Sequence, residues 1–262
     1  MQIFDKSKIK SNFNQANQRY NTNAVLQKIV AKNLVQFAKE DILSAKRVID
    51  LGCGTGFVAD QISIIKNISY PDESIFQLDI AYQMLQANHW SNNKINADIE
   101  SLPLKDNYFD LVISSLSFQW LNDLRNSIFQ SFKTIKSEGA FYFSIIADGS
   151  LRELKQSCRD CGVNFSVNDF ISQKDLEEIL KNLNLAYETK LETITLDYQD
   201  FYSLLKSIKA IGAGYSKNRH YINKTRLQEI ANFYLKNFNL RDKVFATWQI
   251  LYVSIKQNQN HV

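Results

Sequence analysis

An α/β fold, a mostly parallel sheet covered by helices on both faces, is predicted by three observations. Apolar runs alternate with amphipathic stretches from Arg47 onward. The first run ends in a carboxylate and a glycine cluster, Val48-Ile49-Asp50-Leu51-Gly52-Cys53-Gly54-Thr55-Gly56. The alternation repeats as strand, helix, strand, helix, the rhythm of parallel strands joined by crossover helices. Seven candidate strands result, and the last follows a helical segment that breaks the rhythm.

In chain order, residues 8–40 read as helical. Phe13, Ala16 and Tyr20 share one face, and Leu26, Ile29, Val30, Leu34 and Phe37 continue an apolar stripe at helical spacing. Strands are predicted at 47–51, 75–79, 94–98, 108–114 and 139–147, with helices near 56–66, 81–88, 123–136 and 150–160. Glu138-Gly139 marks the turn into the fifth strand. A loop spans Gly162 to Asn168, and a helix follows at 172–182. Residues 185–197 alternate apolar and polar side chains, which suits an edge or antiparallel strand. Residues 199–240 are helical in pattern and interrupted by Gly212-Ala213-Gly214. They read as a cap inserted before the final strand, 244–256, and as a lid over the carboxyl edge of the sheet. One domain spanning 1–262 is expected.

Composition narrows the class. At 45% hydrophobic and 22% charged residues, the chain can build a full core. No apolar run approaches the ~20 residues that span a bilayer, and Met1 to Lys10 has no signal-peptide core. A cytoplasmic protein without a membrane partner is expected. The net charge of +4 permits an acidic partner, whereas no basic run with interleaved aromatics points to nucleic acid. Cys158-Arg159-Asp160-Cys161 is a lone C-x-x-C without the further ligands a zinc site needs, so two reduced thiols and no metal are expected.

Three of the eight glycines fall at 52, 54 and 56. Glycine concentrates where a backbone turns tightly or approaches a ligand closely. A strand, glycine turn and helix make a nucleotide-type pocket. A dinucleotide fingerprint reads G-x-G-x-x-G, but here the third glycine comes one residue early and Phe57 takes its place. The pattern D-x-G-x-G-x-G instead resembles motif I of class I S-adenosylmethionine methyltransferases, which implies a Rossmann-like sheet whose last strand is antiparallel.

Under that resemblance Asp50 lies near the amino or methionine end of S-adenosylmethionine. Gly52, Cys53, Gly54 and Gly56 shape the loop along it. Asp79 ends the second strand and would accept hydrogen bonds from the ribose hydroxyls; the competing reading is a helix N-cap. Ile80 would pack on adenine, with Met84 one helical turn further on. Asp98 in Ala97-Asp98-Ile99-Glu100-Ser101-Leu102-Pro103-Leu104 resembles the carboxylate that accepts from the adenine amino group, and Ile99 adds apolar contact. Ser114 is assigned to the cofactor. The serines after it and Trp120 frame an acceptor pocket, although Trp120 also suits the core. No N-P-P-Y type motif follows the fourth strand, which disfavours nitrogen methylation.

Four further segments narrow the resemblance: Phe13-x-x-Ala16-x-x-x-Tyr20 with Leu26-Gln27; Ser115-Leu116-Ser117-Phe118-Gln119-Trp120; Leu204 to Ala213; and Thr247 to Tyr252. Together they resemble the malonyl-acyl-carrier-protein O-methyltransferases of biotin synthesis. One departure is Leu121, where a cysteine is common. The resemblance implies methyl transfer from S-adenosylmethionine to the free carboxylate of a malonyl thioester on acyl carrier protein, or on CoA. A carboxylate is ionised at pH 7 and needs no general base, which suits a chain without an obvious catalytic His or Asp pair. Arg219 is the candidate holder of that carboxylate, against the alternative of a solvated arginine, and Tyr20 and Trp120 would close the pocket. Lys206, Lys209, Lys217, Lys224 and Arg226 form a cap surface suited to an acidic carrier, or simply a solvated face. The alternatives are another small acceptor, such as a quinone or carboxylic acid, and a non-catalytic cofactor-binding partner.

Overall fold

The computed structural model describes residues 4–69, 72–90, 92–163, 169–210 and 222–256. The chain begins with three helices, α1 (Lys6–Asn23), α2 (Val25–Phe37) and α3 (Lys39–Ser44). Then follow β1 (Val48–Leu51), α4 (Phe57–Lys66), β2 (Ile75–Asp79), α5 (Tyr82–Ala87), β3 (Lys94–Asn96) and β4 (Phe109–Ser115). Next come α6 (Leu124–Lys133), β5 (Ile135–Ile146), α7 (Arg152–Asp160), α8 (Gln173–Asn182) and β6 (Ala186–Tyr198). The last elements are α9 (Phe201–Ala210), α10 (Lys224–Asn237), β7 (Asn239–Leu240) and β8 (Lys243–Lys256).

The sheet order is β3-β2-β1-β4-β5-β8-β6, with β7 paired to β8. β8 runs antiparallel to both β5 and β6, while β1 to β5 pair in parallel. Seven main strands and an antiparallel final strand match the sequence expectation, and β6 is the predicted edge. The two-residue β7 was not foreseen. Its turn into β8 holds Arg241 and Asp242 at φ 50° and 62°, the left-handed pair that a tight two-residue hairpin requires, here without the usual glycine.

Side chains alternate between the faces of the sheet, and two apolar cores form. Val48, Leu111 and Ile113 pack with α2, α4, α7, α9 and α10 on one face. Ile49, Leu51 and Val112 pack with α6 and α8 on the other. Asp50 and Ser115 share their parity with the first group.

Two predicted boundaries need correction. The N-terminal helix is three helices, broken at Ala24 and Ala38, both fully buried. One straight rod could not serve both targets: α1 packs Phe13, Ala16 and Tyr20 against Ala81 and Met84, whereas α2 buries Leu26, Val30 and Leu34 on the sheet. Strand β5 starts at Ile135 rather than 139, and its register slips between Phe109 opposite Ile135 and Leu111 opposite Ala140. Gly139 sits in that bulge, where a Cβ would lie 2.8 Å from the Asp110 carbonyl oxygen.

A buried carboxylate fastens α7 to β8. Glu153, 2% exposed, accepts from the Thr247 amide at 3.0 Å and the Thr247 hydroxyl at 2.5 Å. Removing the acceptor strands a buried amide, so Glu153→Ala should lower unfolding free energy by about 2–3 kcal/mol. Urea denaturation of the variant checks this; an unchanged midpoint would contradict it.

Candidate functional site

The glycine turn between β1 and α4 is held by backbone bonds to the end of β2. The amides of Gly52 and Cys53 both donate to the Leu78 carbonyl, at 2.7 and 3.0 Å, and the Gly54 amide donates to Asp79 Oδ2 at 2.8 Å. Gly52 and Gly56 have φ of 73° and 101°. A Cβ at Gly52 would come 2.1 Å from Ser117 Oγ, and one at Gly56 would lie 2.9 Å from Asn88 Oδ1. Only glycine fits either place.

This turn, the ends of β2 and β4 and the inner face of α1 surround a partly open cavity. Of the residues the sequence singled out, Gly52, Gly54, Asp79, Ile80, Met84, Asp98, Ile99, Tyr20 and Trp120 line it. A smaller adjoining cavity is lined by Asp50, Cys53, Tyr20, Gln27 and Ser115. Gly56 lines neither; it shapes the turn against Asn88. Ser114 lines neither cavity. Its parity points it into the opposite side of the sheet, where its hydroxyl donates to the Leu51 carbonyl at 2.6 Å. Ser115, one residue on, faces both cavities. Arg219, Lys217 and Gly212 to Gly214 lie outside the described residues. No residue of α9 or α10 lines either cavity, so among described residues the covering element is α1, not the cap.

Helix α1 is tied down along its length. The Phe4 amide donates to Asn122 Oδ1 at 2.6 Å, and Asn122 Nδ2 returns a bond to the Phe4 carbonyl at 3.2 Å. Lys6 pairs with Asp98 at 3.2 Å and with Glu100. Gln83 N donates to Asn14 Oδ1 at 2.9 Å, and the Thr55 hydroxyl donates to Asn21 Oδ1 at 2.6 Å. Phe4 and Phe13 set their edges against Trp120, with ring centroids 5.6 and 5.9 Å away. Trp120 therefore serves packing and cavity wall together. Tyr20 stacks on Phe57 at 5.8 Å. Lys6 was missed in the sequence because nothing local distinguishes it; only tertiary placement brings it to the site.

The electrostatics are those of acids kept from water. Burial, and then the neighbouring Asp79 charge, push Asp50 well above the ordinary carboxylate range. Burial lifts Asp79 to about 6 against the opposing pull of the Ala81 and Gly54 amides. Tyr20 is held above its usual value by burial and by Asp79 and Asp50, so its phenol stays neutral. Burial also raises the Cys53 thiol, and it too stays protonated. Asp79 Oδ1 accepts from the Ala81 amide at 2.7 Å, one residue ahead of the helix, so it braces the turn into α5 without being its cap residue. Asp98 accepts from the Glu100 amide at 3.0 Å and from Lys6.

Both Asp50 carboxylate oxygens are buried without a hydrogen-bond partner among the described residues. An unpaired buried carboxylate is costly, and a ligand bearing a cation and N–H donors relieves that cost. The carboxylates, the apolar walls of Ile80, Met84 and Ile99, and a turn without side chains fit S-adenosylmethionine, which carries a sulfonium, an ammonium and an adenosine.

The comparisons agree with this geometry. A family model described as a methyltransferase domain matches residues 49–143. The chain is 30% identical to a malonyl-[acyl-carrier protein] O-methyltransferase of Gallionella capsiferriformans over 80% of its own length and 76% of the relative's. It is 29% identical to one from Methylovorus over 95% and 88%. Among solved structures, the YcgJ protein of Bacillus subtilis superposes with a TM-score of 0.57 at 16% identity, covering 85% of this chain and 99% of that one, a likeness of fold. The glycine turn, the three acidic strand ends and the roofing helix α1 are thus found in a chain that belongs to the malonyl-[acyl-carrier protein] O-methyltransferase family.

Proposed function

We propose that this site transfers a methyl group from S-adenosylmethionine to the free carboxylate of a malonyl thioester carried on acyl carrier protein, yielding the methyl ester for biotin synthesis. The observation that carries the reading is the acid-lined cavity under the Gly52–Gly56 turn, in a member of this family. Asp79 accepts from the ribose hydroxyls, and Asp98 from the adenine amino group; each carboxylate has acceptor capacity beyond its present bonds. Ile80, Ile99 and Met84 flank the base.

When bound, S-adenosylmethionine supplies an electrophilic methyl whose bonding electron pair leaves with sulfur. The acceptor carboxylate is already ionised at neutral pH, so no residue need remove a proton. The neutral Tyr20 phenol and Cys53 thiol agree with that. What the chain contributes is alignment and exclusion of water, and alignment alone can supply roughly 7–11 kcal/mol. Helix α1, with Phe13 and Trp120, is the wall that keeps water out. Trp120 and Tyr20 bound the acceptor side, and Arg219 is the proposed holder of the malonyl carboxylate. Lys206, Lys209, Lys224 and Arg226 are exposed on α9 and α10, which suits an acidic carrier.

Incubation with S-adenosylmethionine and either malonyl-carrier protein or malonyl-CoA should give the methyl ester by mass spectrometry; absence of product from both, with cofactor bound, would reject the reading. Arg219→Ala should raise KM or lower kcat for the malonyl thioester by about tenfold or more, with cofactor affinity unchanged. Identical kinetics would remove Arg219 from that role. A pH test follows from Asp79. An accepting carboxylate serves best when ionised, so cofactor affinity should fall as the pH drops through the range in which Asp79 takes up its proton. With Asp79 near 6, Kd should rise about tenfold from pH 7 to 5, whereas an ordinary carboxylate would give almost no change there. Calorimetry across that range checks it.

A further inference from the structure

Gln27 takes no part in the fold's main bonds and in none of the roles assigned above, yet it lies against the site. It sits in the first turn of α2, on the sheet face toward which Asp50 points. Its Oε1 is buried without a hydrogen-bond partner, as are both Asp50 oxygens. Both residues line the smaller cavity. The other polar groups facing that cavity are the Tyr20 hydroxyl, the Cys53 thiol and the Ser115 hydroxyl. The thiol is turned to the Gly54 carbonyl at 3.7 Å, and Ser115 Oγ accepts from Ser144 Oγ at 3.4 Å. Three unsatisfied acceptor oxygens, two of them on one buried acid, belong to residues that line a space offering no cation from the described residues. Buried acceptors left unmatched are rare and mark an absent partner.

The complement of such a set is a group with several N–H donors and a positive charge. A primary ammonium has three donors and no acceptor. We infer that Gln27 and Asp50 together seat the α-ammonium of the methionine moiety, Gln27 Oε1 accepting one N–H and Asp50 the others. This rests on the reading of S-adenosylmethionine as cofactor. Gln27 then acts as a positioning residue. It belongs to α2, which is anchored on the sheet, so it fixes the amino-acid end of the cofactor, and with it the direction of the sulfur, independently of α1. An amide carbonyl accepts without adding a second anion beside Asp50.

The test compares two probes by calorimetry: S-adenosylhomocysteine, which carries the ammonium, and 5′-methylthioadenosine, which has the same nucleoside and thioether but lacks it. Gln27→Leu keeps the volume and removes the acceptor. It should weaken S-adenosylhomocysteine by about tenfold or more and leave 5′-methylthioadenosine unchanged. Gln27→Glu keeps an acceptor and should hold S-adenosylhomocysteine within about threefold of the parent, or bind it tighter. Equal weakening of both probes by Gln27→Leu would assign Gln27 to cavity shape and overturn the inference, as would no weakening of either. A Gln27→Glu variant as weak as Gln27→Leu would show that Gln27 donates to Asp50, and would also overturn it. If the parent binds neither probe, the cofactor reading itself fails and the inference with it. Far-UV circular dichroism confirms that each variant is folded.

Discussion

The bond from the Gly54 amide to the Asp79 carboxylate, 2.8 Å long, is the contact on which the site turns. It joins the loop after β1 to the end of β2 and so sets the spacing between two neighbouring strands at their carboxyl ends. It works only because Gly52, Gly54 and Gly56 all take positive φ, which carries the loop flat across the sheet with its amides turned toward the acid. The same bond limits how far burial can lift Asp79. With the Ala81 amide, it keeps part of the charge balanced, and Asp79 rises less far than Asp50, which has no such donor. Two carboxylates of similar position therefore end with different characters, one braced by the backbone and one left for a ligand.

Around that frame the molecule divides its labour by rigidity. Helix α2 buries Leu26, Val30, Ala31, Leu34 and Val35 and is part of the core. Helix α1 buries only Ile9 and Ala16 and relies on polar ties: Phe4 with Asn122, Lys6 with Asp98 and Glu100, Asn21 with Thr55. The partly exposed Lys6 pairs are worth about 0–1 kcal/mol each, and the neutral hydrogen bonds about as little. The roof is thus fastened weakly at several points, and the floor strongly at many.

Most of the framework was legible from local pattern. The strand ends at Leu51, one residue past Asp50, and at Asp79 were placed because a short, mostly apolar run that meets an acid, and in the first case a glycine cluster, leaves little freedom. The antiparallel last strand came with the resemblance, on motif I and the segment Thr247 to Tyr252. What failed to show was anything set by three-dimensional direction. Ser114 and Ser115 are chemically alike, and only the parity of β4 decides that Ser115 faces the cavity. The break at Ala24 has no glycine or proline to announce it; it exists because α1 and α2 face different neighbours. Lys6 and Gln27 are ordinary helix residues in sequence; Lys6 pairs with Asp98, 92 positions on, and Gln27 shares a cavity with Asp50, 23 positions on. The cap was read as the lid from its irregular sequence, whereas in the described residues the cavity is roofed by the opening helix.

That roof has a consequence for the order of events in the life of the chain. Phe4 meets Asn122 across 118 residues, so α1 cannot find its seat until the chain has been made through the end of β4 and the turn that follows it. A segment held by few buried contacts is also the first to lift while the sheet stays intact. Of its ties, only the Lys6 pairs with Asp98 and Glu100 are screened by salt, so ionic strength acts on one fastening of the roof and not on the core. Ionic strength would then bear on access to the cavity through the helix that carries Tyr20.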